Sequence, residues 1–600
     1  MTRWGKKVNK TNIHKEYPRS RMVRDSYLNL NGEWEYAITE ANNVVQYDGT
    51  ILVPFSPETK LSGVEQILQP EEYLHYKRKF KLPRRFNEGR ILLHFGAVDQ
   101  ECEVYLNGHS VGNHKGGYLP FYFDITDVVE SYSENTLEVR VMDKTEFSPH
   151  ARGKQKLNSK DKMDAIFYTP NSGIWKTVWI ESVPDTYIED IKVTPNFDEE
   201  SVTFEIMTNR PSRRALIEIS LNYEPLQQTR IQTNRPVTIQ LDEMAPWSPE
   251  SPKLYDVRIH CQQDQVHTYF GMRKFSKKKD INGIDRFYLN NKPYFINGLL
   301  DQGYWPESLL TPPSDEALKF DIVETKKLGF NTIRKHVKIE SERFYYHCDR
   351  LGMLVIQDMP NGGDDISKPF TMYLPNVSDK LSRKINDNRY KWFGRSDAEG
   401  RVQYKKDLKD MVNTLYSHPS IAMWVPFNEG WGQFDAREMT KIIREIDNQR
   451  LIAETSGWFD QGGGDFYTIH NYLKKLKVKP KPDRIVALME YGGYALPVEN
   501  HLQTKTKFGY RTYRSSQDLK KNYQALWENQ ILPQVANGLS ATIYTQTTDV
   551  EGEINGLFTY DREMLKMDAE VIQNWNHAVY HLFDSLTTMT NKDSGENGLL

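Results

Sequence analysis

"NTIRKHVKIESERFYYHCDRLGMLVIQDM", residues 331–359, changes its hydrophobic rhythm twice within one stretch. "NTIRKHV" reads as a strand, "SERFYYHCDRLG" as a helix, and "MLVIQDM" as a second strand. Repeated units of this kind build a parallel sheet covered by helices. Working outward, "YFINGLL" is a strand before it, followed by the amphipathic helix "SDEALKFDIVETKKLGF" with Ser314 or Asp315 as its N-cap. After it come the helix "GRVQYKKDLKDMVNTLYSHPS", the strand "IAMWVPFN" and the helix "DAREMTKIIREIDNQR". The strands "LIAETSG", "DFYTIHNY" and "IVALMEYGG", the helix "SSQDLKKNYQALWENQILPQVAN" and the strand "GLSATIYTQ" complete the series. Eight strands separated by helical or loop segments are the signature of a (β/α)8 TIM barrel. A doubly wound sheet is the competing arrangement, but no Gly-rich phosphate loop follows any of these strands.

Upstream the chain is all β. "RILLHFGAVDQECEVYLNGHSVGNHKGGYLPFYFDIT" (90–126) holds strand-like runs with Asn107-Gly108 as a hairpin signal, and "NTLEVRVMD" and "IWKTVWIESV" continue the alternation. A jelly-roll-like β-sandwich is expected over residues 1–183. "YIEDIKVTPNF", "SVTFEIMT", "ALIEISLNY", "RPVTIQL" and "LYDVRIHCQQ" predict a smaller Ig-like β-sandwich over 184–275, with the Pro-rich "APWSPESPKLY" crossing into its final strands. "YFGMRKFS" leads out of it, and the barrel is expected over 276–600. The fold class is therefore multidomain β plus α/β.

Six hundred residues exceed what one core holds, in agreement with several domains. A net charge of −3 gives no electrostatic argument for nucleic acid or a membrane surface as partner, and the basic N-terminal "TRWGKKVNKTNIHK" reads as a solvated arm. No segment approaches the roughly 20 consecutive apolar residues of a membrane helix, and the polar N-terminus lacks the apolar core of a secretory signal. Cys102, Cys261 and Cys348 lie far apart, have no metal-ligand spacing and cannot all pair. The expectation is a cytoplasmic protein without disulfides, metal or cofactor. The 34 Tyr and 12 Trp suit stacking on sugar C–H faces, and equally the filling of β-sandwich cores.

A barrel concentrates its chemistry at the carboxyl ends of its strands. Glu429 follows "AMWVPFN" at the end of strand 4, and Glu490 follows "RIVALM" at the end of strand 7. Two carboxylates facing one mouth suit cleavage of a glycosidic bond, one protonating the leaving oxygen while the other attacks the anomeric carbon or activates water. The plain alternative is that each is a strand-terminal residue paired with a neighbouring cation.

At this point the chain resembles glycoside hydrolase family 2, the group holding β-galactosidases, β-glucuronidases and β-mannosidases. "YLNLNGEWEYAI", "YLNGHSVGNHKGGYLPFYFDIT" and "SGIWKTVWIE" resemble its N-terminal sugar-binding sandwich. "INGLL", "KKLGFNTIRKH" and "HCDRLGMLVIQDMP" resemble its first barrel units, and "FNEGWG" and "MEYGG" its acid/base and nucleophile motifs. The resemblance implies a retaining, double-displacement mechanism with Glu490 as nucleophile and Glu429 as general acid, then base, on carboxyls about 5–5.5 Å apart. It also implies that Asn428 contacts the sugar 2-hydroxyl, that Arg334 keeps the nucleophile ionised and that Tyr472 hydrogen-bonds it. For Arg334 a salt bridge across the barrel floor, and for Tyr472 core packing, are the other readings.

Departures from the family surround the glycone. β-Glucuronidases carry an Asn-x-Lys motif near the last strand; "EINGLFTYDR" has no lysine there, which argues against a uronic acid substrate. Where a sugar-contacting histidine is usual, "LLDQGYWPE" places Asp301 and Gln302. "RKHVKIE" brings His336 one residue closer to Arg334 than the usual spacing, as a sugar ligand or as a strand-buried histidine bonded to backbone. "YTQTTDVEGE" offers Gln546, Asp549 and Glu551 in place of a Trp-containing segment. Trp305, Trp431 and Trp458 follow strand ends, as stacking walls or as loop anchors. "RGKQ" (152–155) and "YTPNSGIW" (168–175) are expected to reach from the first sandwich to the barrel mouth and narrow it to a pocket, giving an exo mode. The expected function is an exo-acting, β-galactosidase-like enzyme on an oligosaccharide or glycoside. A β-mannoside, β-glucoside, furanoside or α-L-arabinoside as substrate stays open, as does a non-catalytic carbohydrate-binding protein. A homo-oligomer is compatible with each.

Overall fold

The computed structural model describes residues 1–86, 89–157, 166–364, 369–505 and 507–588; residues 589–600 of the expected barrel segment lie outside the described residues. Strand Asn135–Met142 shows how the first sandwich forms: along NTLEVRVM every second residue is buried. It lies between Tyr73–Phe80 and Glu101–Leu106 in a six-stranded sheet. A four-stranded sheet runs in the order Tyr27–Asn29, Val178–Val183, Arg90–Phe95, Phe121–Asp124. One core joins both sheets, with Trp34, Leu74 and Val139 from the first and Leu93, Phe95 and Ile180 from the second.

The second sandwich repeats the logic on a smaller scale. Tyr255–Cys261 alternates buried with exposed or half-buried residues within a four-stranded sheet. A three-stranded sheet of Ile188–Asn196, Ser201–Thr208 and Pro236–Gln240 supplies Ile191, Phe204 and Ile239 to the shared core. Strands Phe275–Lys279, Asp285–Leu289 and Lys292–Pro293, which the sequence does not announce, form a separate three-stranded sheet. Phe275, Phe287 and Leu289 of this sheet pack with Ile296, Ile356, Met423 and Ile543 of the barrel. The run "KKKD" carries no hydrophobic period, so only the tertiary contact reveals this sheet.

The barrel strands are β1 (Ile296–Asp301), β2 (Thr332–Lys335), β3 (Leu354–Asp358) and β4 (Ile421–Val425), then β5 (Leu451–Ile452), β6 (Phe466–Asn471), β7 (Ile485–Gly492) and β8 (Leu539–Thr545). They form one sheet in the order β5-β4-β3-β2-β1-β8-β7-β6, and every pair is parallel. All but β6 are buried at every position, the expected pattern for parallel strands covered on both faces and the reason that they read as unbroken apolar runs. β5 is short, and its ladder does not extend to β6. Side chains and loop backbone close that gap instead: Asp465 N donates to Ile452 O (2.7 Å) and Ile452 N to Asp465 Oδ2 (2.9 Å). The (β/α)8 barrel is thus nearly closed.

The helices start where the sequence marks them. Ser314 caps α1 (Asp315–Lys327) by accepting from Ala317 N (3.2 Å), and α2 (Glu342–Leu351) ends on Gly352 in the left-handed conformation. The first sandwich is docked on the barrel's upper rim through buried polar contacts. Arg152 N donates to Asn361 O (2.8 Å), and Lys176 Nζ to Ile339 O (3.1 Å) and Glu340 O (3.2 Å). Among the described residues no helix is long and apolar enough to cross a membrane.

Candidate active site

Beyond β4, Phe427–Asn428 pairs with Thr455–Ser456 and carries the chain to Glu429. Glu429 takes a left-handed backbone (φ 51°) and its N–H donates to Ser456 O (2.9 Å). A glutamate pays for that conformation in strain, which its surroundings must hold. Gly430 (φ 74°) and Gly432 (φ 62°) complete the turn, where a Cβ would lie 2.5 Å from the Phe459 ring and 2.0 Å from Gly362 O respectively. The aromatic–glycine spacing of "FNEGWG" is therefore a steric requirement of the turn that aims Glu429.

Glu490 sits within β7, next to Tyr491, whose ring lies in the barrel–helix core. The ladders on either side of it are irregular, shifting register at Ile469/His470 and between Leu488 and Tyr491. Such shifts re-aim side chains, here at the site. Arg334 on β2 is fully buried and binds at four places. Its guanidinium donates to Glu490 Oε1 (3.1 Å), Met489 O (3.1 Å), Asn428 Oδ1 (2.8 Å) and, bidentately, the Asp358 carboxylate (2.8–3.1 Å). Tyr472 OH donates to Glu490 Oε2 (2.5 Å), and the Tyr472 ring stacks on Tyr510. His470 Nδ1 lies 2.7 Å from Glu429 Oε1 and 3.4 Å from Glu490 Oε2, with its Nε2 2.7 Å from Ser456 Oγ.

These neighbours set the charge state of the site. Burial by itself would raise Glu490, but His470, then Arg334, and the Tyr472 hydroxyl outweigh it and hold the carboxyl down at about 2. Burial, then the charges of Arg334 and Lys154, push His336 well below the ordinary histidine range. A neutral His336 donating Nδ1–H to Asp358 (3.0 Å) leaves Nε2 as an acceptor.

A small cavity opens in front of the two glutamates, walled by His336, Asn428, Trp431, Tyr472 and Tyr510. Asn428 Nδ2 is buried there without a hydrogen-bond partner. The other expected residues fall at different distances from it. Asp301 is held away from the lining by Lys335 Nζ (2.6 Å) and Gly303 N (2.9 Å), and its neighbour Gln302 faces the cavity instead. The reason is local: strand alternation puts adjacent residues on opposite sides, and the ammonium of β2 captures the carboxylate. Gln546 is one step back, accepting from Gln302 Nε2 (2.8 Å) and donating to Asn555 Oδ1 (2.8 Å). Trp458 lies outside the lining, its ring edge-on to His470 at 5.4 Å. Trp305 is buried beneath the Arg562 guanidinium as a loop anchor, whereas Trp431 lines the cavity. Asp549 pairs with Lys566 (2.6 Å) and Glu551 accepts from Thr169 N (3.2 Å).

His470, Tyr510 and Glu553 join the site without having been candidates from sequence, whereas Lys154 belongs to the "RGKQ" segment expected at the barrel mouth. His470 was within reach, because it stands two residues before Tyr472, so both point to the same face of the β6 extension. Tyr510 comes from an irregular segment and had no such signal.

Comparison with known proteins extends over the whole arrangement. Residues 49–176 match the family 2 galactose-binding domain-like profile, residues 186–273 the family 2 profile, and residues 281–514 the family 2 TIM barrel profile. A β-galactosidase of Thermoanaerobacter pseudethanolicus is 23% identical over 505 residues, covering 80% of this chain and 62% of its own length. A β-glucuronidase of Streptococcus agalactiae is 22% identical over 615 residues, covering 93% and 97% respectively. The chain thus spans less than two thirds of that β-galactosidase. Among solved structures, the β-D-glucuronidase of Dictyoglomus thermophilum superposes with a TM-score of 0.71 at 18% identity (93% and 98% covered). A β-galacturonidase of Eisenbergiella tayi gives 0.70 at 17% (94% and 99%). At such identities these superpositions establish the shared fold. With two sandwiches and a barrel each matched in order by its profile, the chain belongs to glycoside hydrolase family 2.

Proposed function

We propose that this protein is a retaining, exo-acting β-glycosidase, first a β-galactoside-like one, with Glu490 as nucleophile and Glu429 as acid/base. The observation that carries the reading is the closeness of the two carboxyls: one oxygen of each, with a His470 nitrogen between them, lies within 4.8 Å of the others. That closeness supports direct attack on the anomeric carbon, since retaining enzymes hold the two carboxyls about 5–5.5 Å apart and inverting ones about 6.5–9.5 Å.

In this mechanism Glu490, ionised and oriented by Arg334 and Tyr472, attacks the anomeric carbon while Glu429 protonates the leaving oxygen. A glycosyl-enzyme forms; Glu429 then takes a proton from water, which attacks the same carbon and releases Glu490. Asn428, its Oδ1 fixed by Arg334 and its Nδ2 unpartnered, is the candidate donor to the sugar 2-hydroxyl. The small cavity, roofed from the first sandwich, favours removal of one terminal sugar at a time.

A panel of aryl glycosides, pyranosides and furanosides in both anomeric series, tests the reading. Turnover of a β-linked member with net retention is expected. Turnover of none, or release of the inverted sugar, refutes it.

A further inference from the structure

The cavity in front of the glutamates has one wall that belongs to neither the strands nor the family's catalytic motifs. Lys154 reaches it from the first sandwich and Glu553 from the segment after β8. Both side chains are almost fully buried, at 7% and 3% exposure, and their charged atoms are 3.9 Å apart. This is ion-pair contact longer than a hydrogen bond. Glu553 is held from both sides: Oε2 accepts from Tyr168 OH (2.5 Å) and Oε1 from Asn555 Nδ2 (3.1 Å). Among the described residues Lys154 Nζ donates no hydrogen bond, and it lies 5.5 Å from the Tyr168 ring and 5.7 Å from the Trp431 ring. An ammonium has three donors to place, and the open side is the cavity.

We propose that Lys154 and Glu553 form a charge-balanced clamp on two glycone hydroxyls and confine the site to neutral sugars, an inference that rests on the glycosidase reading above. Donor and acceptor side by side match a sugar diol, in which one hydroxyl accepts from the lysine and the other donates to the carboxylate. The same balance acts against an acidic sugar. A lone buried lysine would welcome a uronate, but Glu553 already occupies its charge, and Glu429 and Glu490 add negative charge to the same small space. The absence of lysine from "EINGLFTYDR" therefore has a counterpart: a lysine does enter the site, from another domain, and with its own counter-ion.

Matched 4-nitrophenyl β-glycosides that differ only at C6, hexoside against uronide in the galacto and gluco series, test this on the wild type, Glu553→Gln and Lys154→Met. Wild type is expected to favour the hexoside by about 100-fold or more in kcat/KM. Glu553→Gln, nearly isosteric, should narrow the ratio about tenfold by freeing the lysine's charge, and Lys154→Met should widen it while lowering hexoside kcat/KM about tenfold. A purely structural pair would not move the ratio in opposite directions. Preference of the wild type for the uronide, or an equal change on both substrates in both variants, overturns the inference and leaves the glycosidase reading standing. So does turnover confined to pentosides and unaffected by Lys154→Met. Turnover of no glycoside in any series overturns both.

Discussion

The ends of β4 and β7 each present one glutamate to the same cavity, and they hold it in opposite ways. Glu490 is gripped through its side chain: a guanidinium, a phenol and an imidazole all address its carboxylate. Glu429 is gripped through its backbone, in a left-handed turn whose next two glycines admit no side chain, while its carboxyl meets His470 and remains partly open to solvent. A carboxylate that must attack is best kept ionised and aimed. One that must give up and regain a proton needs a fixed position and freedom at its oxygen. His470 touches both and is the mechanical link between them.

The comparison breaks most visibly if the roles are exchanged. Glu490→Ala is expected to lower kcat by about 10⁵-fold, and added azide should restore turnover and give the inverted glycosyl azide; an azide product of retained configuration would assign the nucleophile to Glu429. Glu429→Ala should cost about 10²–10⁴-fold on glycosides with poor leaving groups and far less on activated aryl glycosides. Equal losses on both would remove acid catalysis from Glu429.

Smaller changes sharpen the contrast. Tyr472→Phe deletes an O–H donor to the ionised form of Glu490, so the carboxyl rises from its depressed value. Because the nucleophile works ionised, activity falls as pH drops through its pKa, and the acid limb of kcat/KM should move to higher pH with a loss of about tenfold at neutrality. An unmoved limb would reduce the tyrosine to packing. Arg334→Met leaves Asp358 and Glu490 buried without their cation and is expected to cost about 3–5 kcal/mol in chemical denaturation. Gly430→Ala acts on the other side of the comparison, where the φ of 74° and the Phe459 ring oppose a side chain. Its expected cost is about 1–3 kcal/mol in the same assay, together with misplacement of Glu429.

The unbroken apolar runs of the barrel strands and the alternation of the sandwich strands made both architectures legible, since burial on two faces or one writes a different period into the chain. The three-stranded sheet at 275–293 was not legible, because its strands are short and carry a lysine run. At the site the motif residues Asn428, Glu429 and Glu490 could be picked out singly, as could Arg334 at the end of its strand. Asp301 and Trp458 could not be sorted from their neighbours: which of two adjacent residues faces a cavity depends on a register that a one-residue slip inverts.

By itself, then, the sequence determined the order of two sandwiches and a barrel, and the identity of the two strand-end glutamates, because those depend on local periodicity and on short turns with steric demands. Only the tertiary structure decided which groups surround them. His470 between the carboxyls, Gln302 in place of Asp301, and Lys154 opposite Glu553 from another domain are contacts between residues 20 to 399 positions apart. No local pattern encodes such distances; the closing of the barrel and the docking of the sandwich do.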